Sequence, residues 1–112
     1  MSPVTTHVLD LARGQPAAGV AVRLEAADGE EWWAPVGAAV TDANGRTRDL
    51  ALAPLRAGVH RLTFETGVYF EEQGIAAFHP RVSVTFEITD PAQHHHLPLL
   101  IAPFGYSTYR GS

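Results

Sequence analysis

Arg-Val-Ser-Val-Thr-Phe-Glu-Ile, at positions 81–88, alternates polar and apolar residues without interruption. Successive side chains of a β-strand point to opposite faces, so the apolar residues at 82, 84, 86 and 88 share one face. A strand with one apolar and one polar face is typical of two sheets packed against each other. We therefore predict that this segment is a strand of a β-sandwich and that its apolar residues face the core.

The same alternation occurs at two other places in the chain. It predicts that Val20, Val22 and Leu24 face the core from one strand, and that Leu62 and Phe64 do so from another. Turns are predicted where Gly, Pro, Asn and Asp concentrate, at 14–16, 27–29, 42–45 (as a β-hairpin), 54–58 and 90–91. The non-alternating segment 67–74 predicts a short helix, with an edge strand as the alternative. The expected fold class is all-β, a two-sheet β-sandwich of about eight strands with one short helix.

The composition narrows the functional class. The 112 residues suit a single domain, 1–112, and a hydrophobic content of 46% supports a core. The absence of cysteine excludes disulfides, thiolate metal ligands and a cysteine nucleophile. A net charge of −4 without a basic stripe argues against nucleic acid, and the absence of an apolar run of roughly 20 residues argues against a membrane span. We expect a cytoplasmic protein, since neither a secretory signal nor a terminal Ser-Lys-Leu is visible.

Histidine is the residue type that most directly suggests chemistry in this sequence. His94 and His96 are predicted to share one face of a strand, and His95 to point outward from the other. Histidine titrates near neutral pH and can exchange a proton with water or with a leaving group. The alternative use of the pair is a three-histidine zinc site formed with His7. All eight basic side chains are Arg, whose planar fork suits flat, electron-rich groups.

Three segments together point to a family. They are Thr6-His7-Val8-Leu9-Asp10, His94-His95-His96-Leu97-Pro98-Leu99-Leu100 and Tyr109-Arg110-Gly111-Ser112. In these segments, and over nearly its whole length, the chain resembles the transthyretin-related 5-hydroxyisourate hydrolases of purine breakdown. The resemblance implies a transthyretin-like fold and a homotetramer, a dimer of dimers with active sites in a channel between the dimers. It implies neither a cofactor nor a metal ion.

The resemblance also implies roles for individual residues. His96 matches a catalytic histidine, His94 is implied to support it, and His7 is implied to line the site. Arg46 matches an arginine that contacts the substrate, although Arg48 is the competing choice from the sequence alone. The final segment is implied to help form the site through Tyr109, Arg110, Gly111 and Ser112.

The implied reaction is the hydrolytic ring opening of 5-hydroxyisourate to 2-oxo-4-hydroxy-4-carboxy-5-ureidoimidazoline. We expect His7 and His96 to share the acid–base work, and Arg46 to stabilise the developing oxyanion. Ser112 is expected to position substrate or water, because no nucleophile elbow surrounds it. The family usually has tyrosine at the position of His95. The alternative functions are a non-catalytic, transthyretin-like binder of small aromatic ligands and a structural β-sandwich module.

Overall fold

The computed structural model describes residues 3–51 and 54–112. Within these ranges the chain forms β1 (Val4–Asp10), β2 (Gln15–Pro16), β3 (Ala21–Asp28), β4 (Trp32–Val40), β5 (Gly58–Phe64), α1 (Thr66–Glu71), β6 (Val82–Ile88), β7 (His95–Ala102) and β8 (Gly105–Thr108). The predicted all-β class with a short helix is therefore confirmed. No helix in the described ranges has the length and apolar character needed to cross a bilayer.

The strands form two four-stranded sheets that enclose the core. The first sheet has the order β2-β1-β7-β8, and the second has the order β4-β3-β5-β6. β1 and β7 run parallel to each other, whereas the other pairs within the two sheets are antiparallel. The core contains fully buried side chains from both sheets, among them Val8, Leu24, Phe64 and Leu99. The central strands β1 and β7 thus turn one face to the core and the other face away from it.

The alternating segments form the strands that they predict. The predicted core residues of the first two segments are at most 1% exposed: Val20, Val22, Leu24, Leu62 and Phe64. In β6, Val82 and Ile88 are buried, but Val84 and Phe86 are only half-buried. These two residues border a cavity of about 220 Å³ that β6 shares with β7, β8 and the following residues. The alternation therefore predicts the inward face correctly, while part of that face stays open between the edge strands β6 and β8.

The predicted outward position of His95 is wrong. His95 is 7% exposed and lies on the inner face of β7, together with Leu97 and Leu99. His94 and His96 lie on the outer face, because residues two positions apart in an extended chain point to the same side. Alternation separates the two sets but does not by itself say which one faces the core. The apolar residues at the alternate positions after His95 decide it, because burying them draws His95 inward as well.

Two of the predicted turns differ from expectation. The turn at 42–45 forms, but it does not close a hairpin, because β4 ends at Val40 and the next strand begins at Gly58. The chain crosses instead to the first sheet, where the N–H of Val8 donates to the carbonyl of Gly45 at 2.7 Å. In the turn predicted at 14–16, Gln15–Pro16 forms the short strand β2 on the edge of β1. The predicted helix is present rather than the edge strand, and a turn follows it up to residue 74.

A buried polar contact joins the end of β1 to the helix. Asp10 is 1% exposed, and its Oδ1 accepts the N–H groups of Ala12 at 3.0 Å and Arg13 at 3.2 Å. Its Oδ2 accepts the hydroxyl of Tyr69 at 2.8 Å. Burial, and next the bond to Asp10, raise the pKa of Tyr69, so the hydroxyl keeps its proton for this bond.

Tyr69→Phe should remove this bond and leave a buried carboxylate oxygen without its partner. We expect the free energy of unfolding to fall by about 1–3 kcal/mol, the usual cost of such a loss. The measurement is urea unfolding at one fixed protein concentration, because any self-association would add to the stability. Tyr109→Phe is the matched control, since Tyr109 is 61% exposed. Equal midpoints for the two variants would contradict a stabilising role for the Asp10–Tyr69 bond.

Candidate active site

The outer face of the first sheet carries an open groove of about 450 Å³. Its border includes Thr5, Arg46, Thr47, His94, His96 and Ser112. Four of the residues predicted from the sequence therefore meet in one place: Arg46, His94, His96 and Ser112. They come from the turn after β4, from β7 and the residue before it, and from the last position of the sequence. The groove brings together imidazoles, a guanidinium and hydroxyls, which are groups that can move protons and hold an anionic substrate.

The turn after β4 holds Arg46 beside this groove. Asp42 organises the turn, because its Oδ1 accepts the N–H groups of Asn44 at 2.8 Å and Arg46 at 3.1 Å. The same backbone bonds, with a smaller effect of Arg48, hold the pKa of Asp42 below its ordinary value, so the carboxylate is charged and can accept both. The turn is thus locally determined by the Asx-type bonding that its sequence favours.

Gly45 lets the turn lie directly on β1. Its φ is +75°, in the left-handed region that favours glycine. A Cβ atom at this position would also collide with the carbonyl oxygen of Val8. Because Gly45 has no side chain to hold the turn away from β1, the next residue, Arg46, pairs with His7 in an isolated antiparallel bridge. The turn, rather than a strand, thus places Arg46 next to His7 on the outer face.

The structure separates Arg46 from Arg48, the competing choice. Arg48 has a side chain that is 85% exposed, and its Nε lies 3.8 Å from Oδ2 of Asp42. Among the described residues that border the groove, Arg46 is present and Arg48 is not. The position of the two side chains therefore favours Arg46 as the group that contacts a ligand.

Thr5 connects the two histidines of the groove. In the parallel register of β1 and β7, Thr5 lies opposite His96. Its Oγ1 is 2.8 Å from Nδ1 of His96 and 2.9 Å from Nε2 of His94. The two imidazole rings stack with centroids 6.3 Å apart and an interplanar angle of 23°. Sequence reasoning missed Thr5, although its spacing of two from His7 places both on the same face of β1.

His96 is held in the neutral form. Burial lowers its pKa, and electrostatic interactions with Arg46, His94 and His7 lower it further, while a hydrogen bond to the backbone of Thr5 acts in the opposite direction. A histidine whose pKa is lowered in this way carries a free lone pair at neutral pH, as a general base must. The electrostatics of the groove therefore suit proton abstraction by His96.

The last residues of the chain divide between two places. Gly111 donates its N–H to the carbonyl of His96 at 2.8 Å, and Ser112 borders the groove. Tyr109 and Arg110 border the neighbouring 220 Å³ cavity instead, and Nη2 of Arg110 donates to Gln93 at 3.3 Å. Of the four final residues, only Ser112 therefore faces the groove and Gly111 packs against its histidine.

The described residues do not provide the alternative zinc site. No three His, Cys, Asp or Glu side chains among residues 3–51 and 54–112 come together in positions that could hold a metal ion. One nitrogen each of His94 and His96 is turned to the hydroxyl of Thr5. The three-histidine ligand set suggested by the sequence is therefore not formed.

The charge of Arg46 should affect how kcat/KM and the protonation of His96 depend on pH. Arg46→Gln removes a positive charge near His96, so the pKa of His96 should rise and its base form should be lost at a higher pH. We expect the acidic limb of the kcat/KM profile to move to higher pH, whereas Arg48→Gln should leave it in place. An NMR titration of the His96 ring gives the same comparison without substrate. An unmoved His96 titration in Arg46→Gln would show that this charge does not act on the imidazole.

Comparison with known proteins gives the family. The sequence pattern of the HIUase/Transthyretin family matches residues 4–111, and the chain belongs to this family. It is 46% identical to the 5-hydroxyisourate hydrolase of Caulobacter vibrioides, with 100% of both chains covered. It is 42% identical to the 5-hydroxyisourate hydrolase of Mus musculus, over 99% of this chain and 96% of the mouse protein.

Solved structures agree with this assignment. The 5-hydroxyisourate hydrolase of Klebsiella pneumoniae superposes with a TM-score of 0.85 at 43% identity, covering 97% of this chain and 98% of that one. Sea bream transthyretin in complex with thyroxine superposes with a TM-score of 0.91 at 33% identity, covering 98% and 95%. The predicted transthyretin-like fold and the predicted family are thus confirmed.

Proposed function

We propose that this protein hydrolyses 5-hydroxyisourate to 2-oxo-4-hydroxy-4-carboxy-5-ureidoimidazoline, as a cyclic amide hydrolase in urate breakdown. The observation that carries the proposal is the groove in which a neutral His96 meets Arg46 and Ser112. The relatives of similar length that bear the name 5-hydroxyisourate hydrolase support the same substrate. The groove supplies what the reaction needs, namely a base for water and a cation for the developing oxyanion.

His96 and His7 share the proton transfers in this mechanism. A base takes a proton from water as the oxygen attacks the ring carbonyl, and the carbon–nitrogen bond then breaks. The leaving nitrogen takes up a proton, and the carbonyl carbon ends as a carboxylate. The lowered pKa of His96 favours it as the base that faces water. His7 lies beside Arg46 on the same outer face and is the candidate for the second transfer, with His94 in support of His96.

Arg46 and Ser112 hold the substrate in this mechanism. A guanidinium can donate two parallel hydrogen bonds to a flat ring with carbonyl groups, and it stabilises the charge that develops on the attacked oxygen. Ser112 also borders the groove and offers a hydroxyl that orients substrate or water. Substrate contacts by Tyr109, Arg110 and Gly111 stay predictions. The proposed mechanism needs neither a metal ion nor another cofactor.

The alternative is a carrier of small aromatic ligands. It has one specific observation in its favour, the TM-score of 0.91 with a transthyretin that holds thyroxine. The ionisable lining of the groove favours the hydrolase, because a carrier gains nothing from a base that is neutral at the working pH and next to a cation. The fold is common to both activities, so the groove has to decide between them.

The deciding experiment follows the ultraviolet decay of 5-hydroxyisourate, generated in the cuvette from urate. The folded protein is added in the presence of a chelator, and spontaneous decay is the blank. Faster decay in proportion to enzyme concentration is the expected result, and chelator should not change it. Decay at the spontaneous rate would reject the hydrolase and favour the carrier. Activity that the chelator abolishes would reject metal independence alone.

The proposed assembly is a homotetramer, a dimer of dimers. Phe78 and Phe104 are 72% and 76% exposed, and Tyr106 beside them is 44% exposed. The N–H of Phe78 donates to the carbonyl of Pro103 at 2.7 Å, so that these aromatic rings belong to one region of the surface. Exposed apolar patches of this kind mark protein interfaces, and another copy would also shield the open groove from water.

Light scattering should therefore give a mass of four chains of 12.1 kDa at micromolar concentration. Phe78→Ser should lower that mass, because it removes an exposed aromatic side chain from the patch. Val68→Ser is a control for the loss of an apolar residue elsewhere, since Val68 is 49% exposed on the helix. A wild-type mass of a single chain would reject the tetramer.

A further inference from the structure

We propose that Thr5 is a positioning residue of the ring-opening reaction: its hydroxyl accepts the Nδ1 proton of His96, donates its own proton to Nε2 of His94, and thereby keeps Nε2 of His96 free to act as the base. This inference rests on the proposed function for its role in turnover. Its structural part concerns the tautomer of His96 and is independent of the substrate.

The pairing of β1 with β7 holds the hydroxyl of Thr5 against both histidines. Thr5 is fixed opposite His96 by the parallel pairing of β1 and β7, and its Oγ1 is within 2.9 Å of a ring nitrogen of each histidine. A threonine side chain has a restricted χ1, so its hydroxyl is already held in one place by the strand. The contact with His96 is part-buried, which protects it from competition by water.

The single proton of the Thr5 hydroxyl limits the hydrogen bonds that it can make to the two histidines. A hydroxyl has one proton to donate, so Thr5 can donate to one histidine and must accept from the other. If it donated to His96, the proton of the neutral imidazole would sit on Nε2, and that nitrogen could not act as a base. If it accepts from His96, the neutral imidazole has its proton on Nδ1 and its lone pair on Nε2.

The charges around the groove favour the second arrangement. Once His96 has taken a proton from water, both of its ring nitrogens are donors. Only a hydroxyl that accepts from Nδ1 keeps its bond in this state, and the bond then becomes charge-assisted and stronger. The other charged or titratable groups that face His96 are Arg46, His94 and His7, and the positive charge of Arg46 favours a lone pair over a proton on the groove side.

The opposite edge of the ring is also held. A Cβ atom at Gly111 would lie 2.6 Å from Cδ2 of His96, so the chain packs directly against the imidazole there. The ring is therefore confined between Gly111 on one edge and the hydroxyl of Thr5 on the other. Removing the hydroxyl would leave the ring in the groove but without its side-chain partner at Nδ1.

The test compares Thr5→Val, Thr5→Ser and Thr85→Val. Valine has the shape of threonine without the hydroxyl, and serine keeps the hydroxyl. Thr85 is exposed on β6 of the second sheet and does not border the groove, so Thr85→Val controls for the loss of a strand hydroxyl elsewhere. We expect Thr5→Val to lower kcat by about 10–100-fold with little change in KM, the range found when a partner that orients a metal-bound histidine is removed. Thr5→Ser should recover most of the loss, and Thr85→Val should match the wild type.

A second readout does not depend on turnover. Nitrogen NMR of the imidazole rings should show His96 with its proton on Nδ1 in the wild type and in Thr5→Ser, and a shift towards the Nε2–H tautomer in Thr5→Val. Wild-type kcat in Thr5→Val, or an equal loss in Thr5→Val and Thr5→Ser, would overturn the role in turnover. An unchanged His96 tautomer in Thr5→Val would overturn the proposal entirely. If the wild type lacked activity but the tautomer shifted as expected, the proposed function would fail and the effect of Thr5 on the ring would stand.

Discussion

His96→Gln is expected to lower kcat/KM for 5-hydroxyisourate by about 10²–10⁴-fold, the range that a positioned general base contributes. The side chain borders the groove, with Thr5 at its Nδ1 and the charge of Arg46 nearby. Glutamine keeps a polar side chain of similar reach but cannot take up a proton at neutral pH. The loss should therefore appear in kcat rather than in assembly.

His95→Gln is the matched control for this prediction. It changes the adjacent residue of the same strand in the same way, but His95 is buried on the opposite face. We expect it to retain most of the activity even if its thermal midpoint falls. Light scattering and circular dichroism should show that both variants are assembled and folded. A folded His96→Gln variant with wild-type kcat/KM would remove His96 from the mechanism.

Gly111→Ala is expected to lower kcat/KM by up to about 100-fold although it adds only one methyl group, because misplacing a reacting group by about 1 Å can cost that much. The new Cβ would lie 2.6 Å from Cδ2 and 3.3 Å from Cγ of His96, which is closer than such atoms approach. Either the imidazole turns away from Thr5, or the segment moves and loses the 2.8 Å bond from its N–H to the carbonyl of His96. Both movements misplace the base.

Gly105→Ala provides the control for a glycine in the same part of the chain. Gly105 begins β8, and a Cβ there would meet nothing within 4 Å. It should therefore keep wild-type activity, while thermal unfolding should show both variants to be nearly as stable as the wild type. Full activity of Gly111→Ala would mean that the residues after β8 do not hold the catalytic histidine.

The strands could be predicted because the alternation that identifies each of them lies within a short segment of sequence. In Val20–Leu24 and in 81–88, the residues that the core needs recur with the period of a strand, so alternation alone identifies the buried face. His95 shows the limit of this reasoning. The sequence shows which residues of a strand share a face with a polar residue. Which of the two faces points to the core depends on where the apolar residues lie over the whole strand.

The groove was only partly predictable because it is built by long-range pairing. The resemblance of the sequence pointed to Arg46 and His96, but it could not choose between Arg46 and Arg48. That choice depends on how Gly45 packs against Val8, a contact between distant parts of the chain. Thr5 was missed because its significance appears only when the register of β1 against β7 is known.

Similarity of fold alone would have left the function open. The TM-score is higher for the transthyretin that binds thyroxine, 0.91, than for the hydrolase, 0.85, whereas the sequence identity is higher for the hydrolase, 43% against 33%. The sandwich is shared by both kinds of protein, so the choice between an enzyme and a carrier has to come from the residues of the groove.

The parallel pairing of β1 with β7 also bears on the order in which the chain folds. Thr5 and His96 are 91 positions apart, so the two strands that carry the histidines can meet only after nearly the whole chain has been brought together. β3, β4 and β5 of the second sheet are joined by antiparallel pairing over shorter separations, and β4 carries both tryptophans. A refolding chain should therefore recover its tryptophan fluorescence before its groove is complete, because His7 and His96 come together late.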